Sequence, residues 1–286
     1  MILLVPSDPL HPRRPDEHFA EEEEAARELG VRVELVDHDA LTRPGGTNPV
    51  ARVAREDRRA TAVYRGWMMR SEQYAAFAEA LAEKNIALRT DPKQYQRAHE
   101  LPGWYEALSS LTPESFWTHG PSLEGVRECC RQLRSGSAVL RDYSKSMKHY
   151  WNEAAFVPNV ADSDAARKVA ERFLELREES FVGGFVLRRF EALRADEVRT
   201  WWVDGKCVLT TPHPDSKSTD LPARLELEQV APLIADLGLP FVAVDLALRD
   251  DGVWRVVELG DGQVSDRSRA TPAADFLRAV IGEERA

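Results

Sequence analysis

Cysteine is scarce in this chain of 286 residues: Cys129, Cys130 and Cys207 are the whole supply, and two of them are adjacent. An odd count with that spacing argues against a disulfide framework or a zinc knuckle. No apolar run approaches the ~18 residues of a membrane span. The opening MILLVPSDPL has no basic stretch before its short apolar one, so it does not read as a signal peptide. A reducing, cytoplasmic setting is the expectation. The seven histidines are scattered and no His-Glu-x-x-His occurs, which disfavours a zinc enzyme. No Gly-x-Gly-x-x-Gly follows the first apolar run, and no Gly-x-Ser-x-Gly is present. A dinucleotide fingerprint and a nucleophile elbow are thereby removed. Basic residues are also in deficit: 38 Lys and Arg stand against 48 Asp and Glu, a net charge of −10. That disfavours a nucleic-acid or anionic-membrane partner, while leaving room for a local basic cleft.

What is present is ordinary globular material, with 43% hydrophobic and 30% charged residues. The length suits about two domains or one large α/β body, able to bury roughly three quarters of its unfolded surface. Ile2 to Val5, Val31 to Val36 and Ala60 to Tyr64 read as strands. Asp16 to Leu29 and Gln73 to Lys84 read as helices between and after them. This alternation predicts a parallel, doubly wound sheet. The acidic run Glu21 to Glu24 reads as a solvated helix face. After a stretch rich in aromatics and proline, Ser122 to Leu133 and Ala165 to Leu176 carry apolar residues at helical spacing. From Phe181 the texture becomes strand-rich, and Asp204-Gly205 is a two-residue hairpin signal.

The chemistry concentrates in the C-terminal hairpin, PFVAVDLALRDDGVWRVVELGDGQVS. Asp245 interrupts an apolar strand, and a buried carboxylate is costly unless compensated. With Arg249 to Gly252 as a loop, Leu248 faces Val253 and Asp245 faces Val256. Glu258 then lies diagonally on the same face, about 7–8 Å away at the backbone. Two such carboxylates suit a magnesium–nucleotide site. An odd loop would turn them to opposite faces. The plain alternative is one carboxylate paired with a core arginine and the other solvated.

Cations precede this hairpin on successive strands: Arg141, then Lys145 and Lys148, then Arg188 and Arg189 with Glu191, then Glu197 and Arg199. Arg199, Trp201 and Val203 share one strand face by alternation. An arginine on a half-buried face needs an anion, and a triphosphate supplies several. Isolated surface cations are the plainer reading for any one of them.

These stretches together resemble the ATP-grasp superfamily, and within it the clade named for two arginines and one lysine. The resemblance rests on Tyr64 to Trp67, Ala138 to Ala154, Glu197 to Arg199 and Val242 to Ser265, and covers nearly the whole chain. It implies an α/β chain, α+β in its C-terminal part. A Rossmann-like pre-ATP-grasp domain (1–118) would precede an ATP-grasp fold of two α+β subdomains (119–286, dividing into about 119–211 and 212–286). ATP would lie between the subdomains, against Arg141 and the stretch from Arg189 to Leu193. Glu191 and the backbone near Leu193 would face adenine and ribose, Lys145 and Lys148 would cover the phosphates, and Glu197 would belong to the same nucleotide site. Arg199 would act catalytically on the γ-phosphate or acyl phosphate, and Asp245 and Glu258 would hold Mg²⁺, or Mn²⁺ in its place.

Two departures stand out. Arg141 occupies a position where the family usually has lysine, and the usual Glu-x-Asn reads Glu258-Leu259-Gly260, which moves a third metal ligand to Asp261 or removes it. Arg65, at the C-terminal end of a predicted parallel strand, is a candidate contact for substrate carboxylate or phosphate. A salt bridge at a domain interface explains it equally well. The implied activity is carboxylate–amine ligation through an acyl phosphate, on small-molecule or peptide substrates. A phosphotransferase of the same fold and a catalytically weak nucleotide-binding module are the alternatives. No oligomeric state follows from the pattern.

Overall fold

The structure is a computed structural model and describes residues 1–43, 48–216 and 218–282. Its first unit is a parallel sheet of β1 (Ile2–Pro6), β2 (Arg32–Val36), β3 (Ala60–Tyr64) and β4 (Ile86–Leu88), in the order β2-β1-β3-β4. β1 is buried along its whole length because both faces are covered. Ile2 and Leu4 meet Tyr74, Phe77 and Leu81 of the helix Ser71–Ala82. Leu3 and Val5 meet the helices Ala20–Glu28 and Ala273–Ile281 on the other side. The acidic run on the first of these helices is not wholly solvated: Glu22 is 4% exposed.

An antiparallel sheet follows, of β5 (Ser115–Trp117), β6 (Ala138–Asp142), β7 (Phe156–Val157) and β8 (Phe185–Arg189), ordered β5-β8-β6-β7. Helices Leu123–Leu133 and Ser163–Arg177 pack on it through Val126, Cys130, Leu133, Ala170 and Phe173. A second antiparallel sheet holds β9 (Leu193–Val203), β10 (Lys206–Pro212), β11 (Phe241–Arg249) and β12 (Trp254–Asp261), ordered β10-β9-β11-β12. Helices Leu101–Leu108 and Val230–Leu237 cover the face that carries Trp202, Val242, Val244, Leu246, Val256 and Leu259.

These sheets divide the chain differently from the sequence expectation. β5 joins β8, so the first antiparallel sheet opens at Ser115, ahead of the boundary at 118/119. β9 and β10 join β11, so the second sheet opens near Leu193 and not near 212. Strand pairing over long sequence separations decides both limits, and composition does not register it. Among the described residues, no helix is long and apolar enough to cross a membrane.

The two hairpins of the second sheet set which side chains share its open face. Asp204 and Gly205 have φ of 48° and 75°, the double positive φ of a type I′ turn. Between β11 and β12 the expected register fails twice, and the failures cancel. Leu248 faces Trp254, so the connection is one residue longer than expected. A β-bulge then intervenes, and Asp245 faces Glu258 directly while Leu246 faces Val256. The two carboxylates share a face as direct neighbours rather than on a diagonal.

Candidate active site

Pairing fixes the row of side chains on the open face of the second sheet. Arg199 of β9 stands opposite Asp245 of β11, which stands opposite Glu258 of β12. Glu197 lies two residues before Arg199 and therefore on the same side. One end of this face, with Trp201, Ala243 and Phe241, is buried against the helix Ala273–Ile281. The other end opens into a cleft of about 180 Å³ lined by Arg199, His213, Asp245, Glu258, Lys145 and Lys148, among others.

Asp245 is compensated as the sequence required. Arg199 donates from Nε to Oδ1 at 2.8 Å and from Nη2 to Oδ2 at 2.9 Å, a bidentate fork. Burial alone would raise the Asp245 carboxyl; the Arg199 guanidinium and the nearby His213 outweigh it and hold the group well below the usual carboxylate range. Arg199 Nη1 donates to the Asp266 carbonyl at 2.8 Å. His213 Nδ1 accepts from the Asp215 amide at 3.1 Å. Its proton therefore sits on Nε2, which faces Asp245 Oδ2 at 3.5 Å. With that tautomer, Arg199 Nη2, 3.0 Å from Nε2, finds no acceptor on the ring. Three of the five guanidinium N–H groups are committed to oxygens, a fourth lies against the His213 ring, and one on Nη1 remains for an incoming anion.

Glu258 is held from the other antiparallel sheet. Arg141 of β6 donates from Nη2 to Glu258 Oε1 at 3.0 Å and to the Ser144 carbonyl at 2.7 Å. Burial pushes the Glu258 carboxyl up, but Arg141 and Lys145 draw it below its ordinary value. Its side chain keeps 36% of its surface exposed. The turn carrying Lys145 is shaped by Asp142, whose Oδ1 accepts from the amides of Ser144 (2.8 Å) and Lys145 (2.6 Å). No hydrogen bond joins the Lys145 ammonium to another described residue. Lys148 sits further out, paired with Asp215.

Glu197, His213 and Asp245 bring one ligand atom each within 4.8 Å of the others. Burial raises the Glu197 carboxyl, with His213 opposing. Arg199 already stands among these three, and its charge disfavours a cation there. Asp245 and Glu258 offer two hard oxygen donors side by side, each also bonded to an arginine. A carboxylate has about four acceptor positions, so each keeps lone pairs beyond those its arginine uses.

Several expected site residues lie elsewhere. Asp261 is three residues beyond Glu258, and strand parity puts it on the face of Leu259 and Val244. It is fully buried there, accepting from the Gln263 amide at 3.0 Å and from Gln263 Nε2 at 3.2 Å. Burial pushes its carboxyl up to about 6. It borders the same cleft as Asp245 and Glu258, but its carboxyl is buried and tied to Gln263. Arg65 is also withdrawn, at 1% exposure. It donates to both oxygens of Glu22 (2.7 and 3.1 Å) and to the carbonyls of Gly262 (2.5 Å) and Ser265 (2.8 Å). At the end of β3 it positions the 262–265 turn, and its burial keeps it from substrate.

Arg189 donates to Glu114 and to the carbonyls of Leu133 and Ser135 on the far side of its sheet. Both Glu191 oxygens accept from Arg255, at 2.8 and 2.9 Å, an internal pair that the sequence did not signal. Leu193 opens β9 opposite Arg249. None of these three lines the cleft.

Arg188 was singled out from sequence only as one of a row of cations, and three further residues with a bearing on the site, His213, His99 and Arg70, were not singled out at all. Arg188, 7% exposed, reaches from β8 to the bulge of β12 and donates to the Val257 carbonyl at 2.5 Å and the Val256 carbonyl at 3.0 Å. Burial and the neighbouring Arg141 lower its pKa to about 9. His213 faces Glu197 across the β9–β10 hairpin, its amide donating to the Glu197 carbonyl at 3.0 Å. A register shift near Cys207 hides that pairing from a count outward from the turn. His99 and Arg70 come from the first unit, and only the packing of that unit on the others brings them here.

Beside the first cleft lies a larger one of about 740 Å³, which Arg70 lines. Met68, His99 and Lys145 border both, so the two adjoin.

Residues 130–280 match the family model for an ATP-grasp domain of the clade named for two arginines and one lysine, family 3. Among solved structures, the chain is similar to a RimK domain protein ATP-grasp from Sphaerobacter thermophilus. The identity is 19% and the TM-score 0.62, with 99% of this chain and 100% of that one covered. D-cycloserine synthetase DcsG aligns at 18% identity and a TM-score of 0.60, covering 98% of each chain. D-alanyl-alanine synthetase A from Vibrio cholerae aligns at 11% identity and 0.60, covering 99% of this chain and 98% of that one. No curated relative matches by sequence.

Proposed function

The chain belongs to family 3 of the two-arginine, one-lysine clade of ATP-grasp domains, and on that premise we propose that it is an ATP- and magnesium-dependent carboxylate–amine ligase working through an acyl phosphate. The observation that carries this reading is the direct pairing of Asp245 with Glu258 on a face shared with Arg199 and closed by Lys145 and Lys148. Asp245 and Glu258 would hold the metal. Bound there, magnesium would neutralise charge on the terminal phosphates of ATP.

The chain's own residues do the rest. Lys145 and Lys148 lie against the polyphosphate, and the uncommitted N–H of Arg199 meets the transferred phosphoryl group. Arg141 keeps Glu258 turned toward the cleft. An acid oxygen attacks the γ-phosphorus, the bond to the bridging oxygen breaks, and ADP leaves. An amine then attacks the acyl carbon, phosphate departs and the nitrogen loses a proton. Positioning and charge neutralisation carry both steps. The second cleft, which adjoins the first at Lys145, His99 and Met68, offers room for the acid and amine, which favours ligation over simple phosphoryl transfer.

The test is product analysis with ATP, magnesium, a panel of acids and either amines or hydroxylamine as acceptor. Ligation predicts ADP, phosphate and an amide or hydroxamate in equal amounts. A stable phosphorylated acceptor would establish the phosphotransferase. AMP and pyrophosphate, or ATP binding without turnover across the panel, would also overturn the ligase reading.

A further inference from the structure

The wall of the larger cleft is cationic on the side of the first unit. Arg70 precedes the helix Ser71–Ala82, and its nearest carboxylate, Glu72, is 3.9 Å away with both side chains substantially exposed (37% and 73%). A pair that loose and that wet contributes little, so the guanidinium is free to take another anion. Arg177, the other arginine of this cleft, is different: Asp142 holds it at 2.8 Å and the Ser180 carbonyl accepts from it at 2.6 Å.

At the junction of the two clefts stand Lys145 and His99. The His99 ring stacks on Tyr95, with centroids 5.1 Å apart. Neither His99 nitrogen hydrogen-bonds to another described residue. Burial and the Lys145 charge lower its pKa to about 4, so the ring is neutral near pH 7. It can donate to or accept from a ligand without adding charge. One cation, Lys145, is thus placed where phosphoryl transfer is proposed, and a second, Arg70, stands away from it across a cavity of 740 Å³.

We infer that the larger cleft binds the acid substrate, and that this acid carries a second anionic group. Its reacting carboxylate lies at Lys145 and His99, and its other anion is held by Arg70. The role given to Arg65 by sequence therefore passes to Arg70, five residues on, because Arg65 is consumed inside the fold. This inference rests on the ligase reading for the identity of the reacting end, but the anion preference of the cleft can be measured without turnover.

The experiment is calorimetric titration of the whole protein, with and without AMPPNP and magnesium. The probes are malonate, succinate, glutarate and adipate, each against the monocarboxylate of equal chain length. At least one dicarboxylate is expected to bind ten times or more tightly than its counterpart. Arg70→Ala should reduce that preference to within about twofold, Arg70→Lys should restore part of it, and AMPPNP affinity should be unchanged in both. Circular dichroism of each variant checks its fold. No dicarboxylate preference in the unmodified protein, or an undiminished one in Arg70→Ala, overturns the inference. AMPPNP failing to bind while the preference persists would sink the ligase reading and leave this site standing.

Discussion

Asp261 and Asp245 are both buried carboxylates of one sheet, and their protonation preferences diverge because their neighbours differ. Asp245 receives a bidentate guanidinium and stays ionised. Asp261 receives amide donors from Gln263, with the Thr90 hydroxyl beside it, and no cation among the described residues pairs with it. A folded-state pKa of about 6 against an ordinary 3.8 means that the fold favours the neutral acid. That contribution is fully present below about pH 3.8 and is lost as pH rises through 6. Asp261→Asn should therefore gain stability relative to the unmodified protein between pH 4.5 and 7.5, by roughly 2 kcal/mol. Urea denaturation of both proteins at the two pH values measures this; a difference that stays constant with pH would refute it. Arg65 and Arg70 give a parallel contrast. One is buried among acceptors and serves the fold, the other is open and serves the cleft.

At the scale of elements, the bulge in β12 lets Val256 enter the core while Glu258, two residues later, faces the cleft. A regular strand would put both on one side. Arg188 holds the bulge by its carbonyls and also donates to Thr112. Arg188→Met takes its donor from the Val257 carbonyl and the Thr112 hydroxyl, and one of two donors from the Val256 carbonyl, at ~1–3 kcal/mol for an acceptor left unpaired. The expected loss is about 3 kcal/mol, a Tm lower by roughly 5–10 °C. A scan showing less than about 2 °C of change would mean that the bulge holds itself. The bulge also marks where sequence reasoning stopped. Period-two alternation and the Asp-Gly turn located the strands of this sheet and singled out Asp245 and Glu258. Neither the longer connection nor the bulge has a local signature, and the correct face came from two errors of one residue that cancelled. Arg65, Arg189 and Glu191 misled for a related reason. An arginine or glutamate beside a strand looks the same in sequence whether it meets a ligand or a distant carbonyl or guanidinium. Their partners lie 75 residues away for Arg189 and 64 for Glu191.

Across the whole molecule, the sheets of the described residues meet around clefts in which cations and carboxylates alternate. The first antiparallel sheet supplies Arg141, Arg188 and the turn with Lys145, the second supplies Arg199, Asp245 and Glu258, and the parallel unit closes the side with His99 and Arg70. The family resemblance made this architecture legible from sequence. The contribution of the parallel unit was not, because it depends on how that unit packs on the others. Everything proposed for this cleft requires Asp245 and Glu258 to act as one magnesium site for a nucleotide bridged to these cations. The decisive comparison is AMPPNP affinity with and without magnesium, in the unmodified protein and in Glu258→Gln. Magnesium should tighten AMPPNP by tenfold or more in the former and by less than about twofold in the latter, at an unchanged Tm. An equal magnesium effect in both proteins would remove Glu258 from the metal site and the proposed reaction with it.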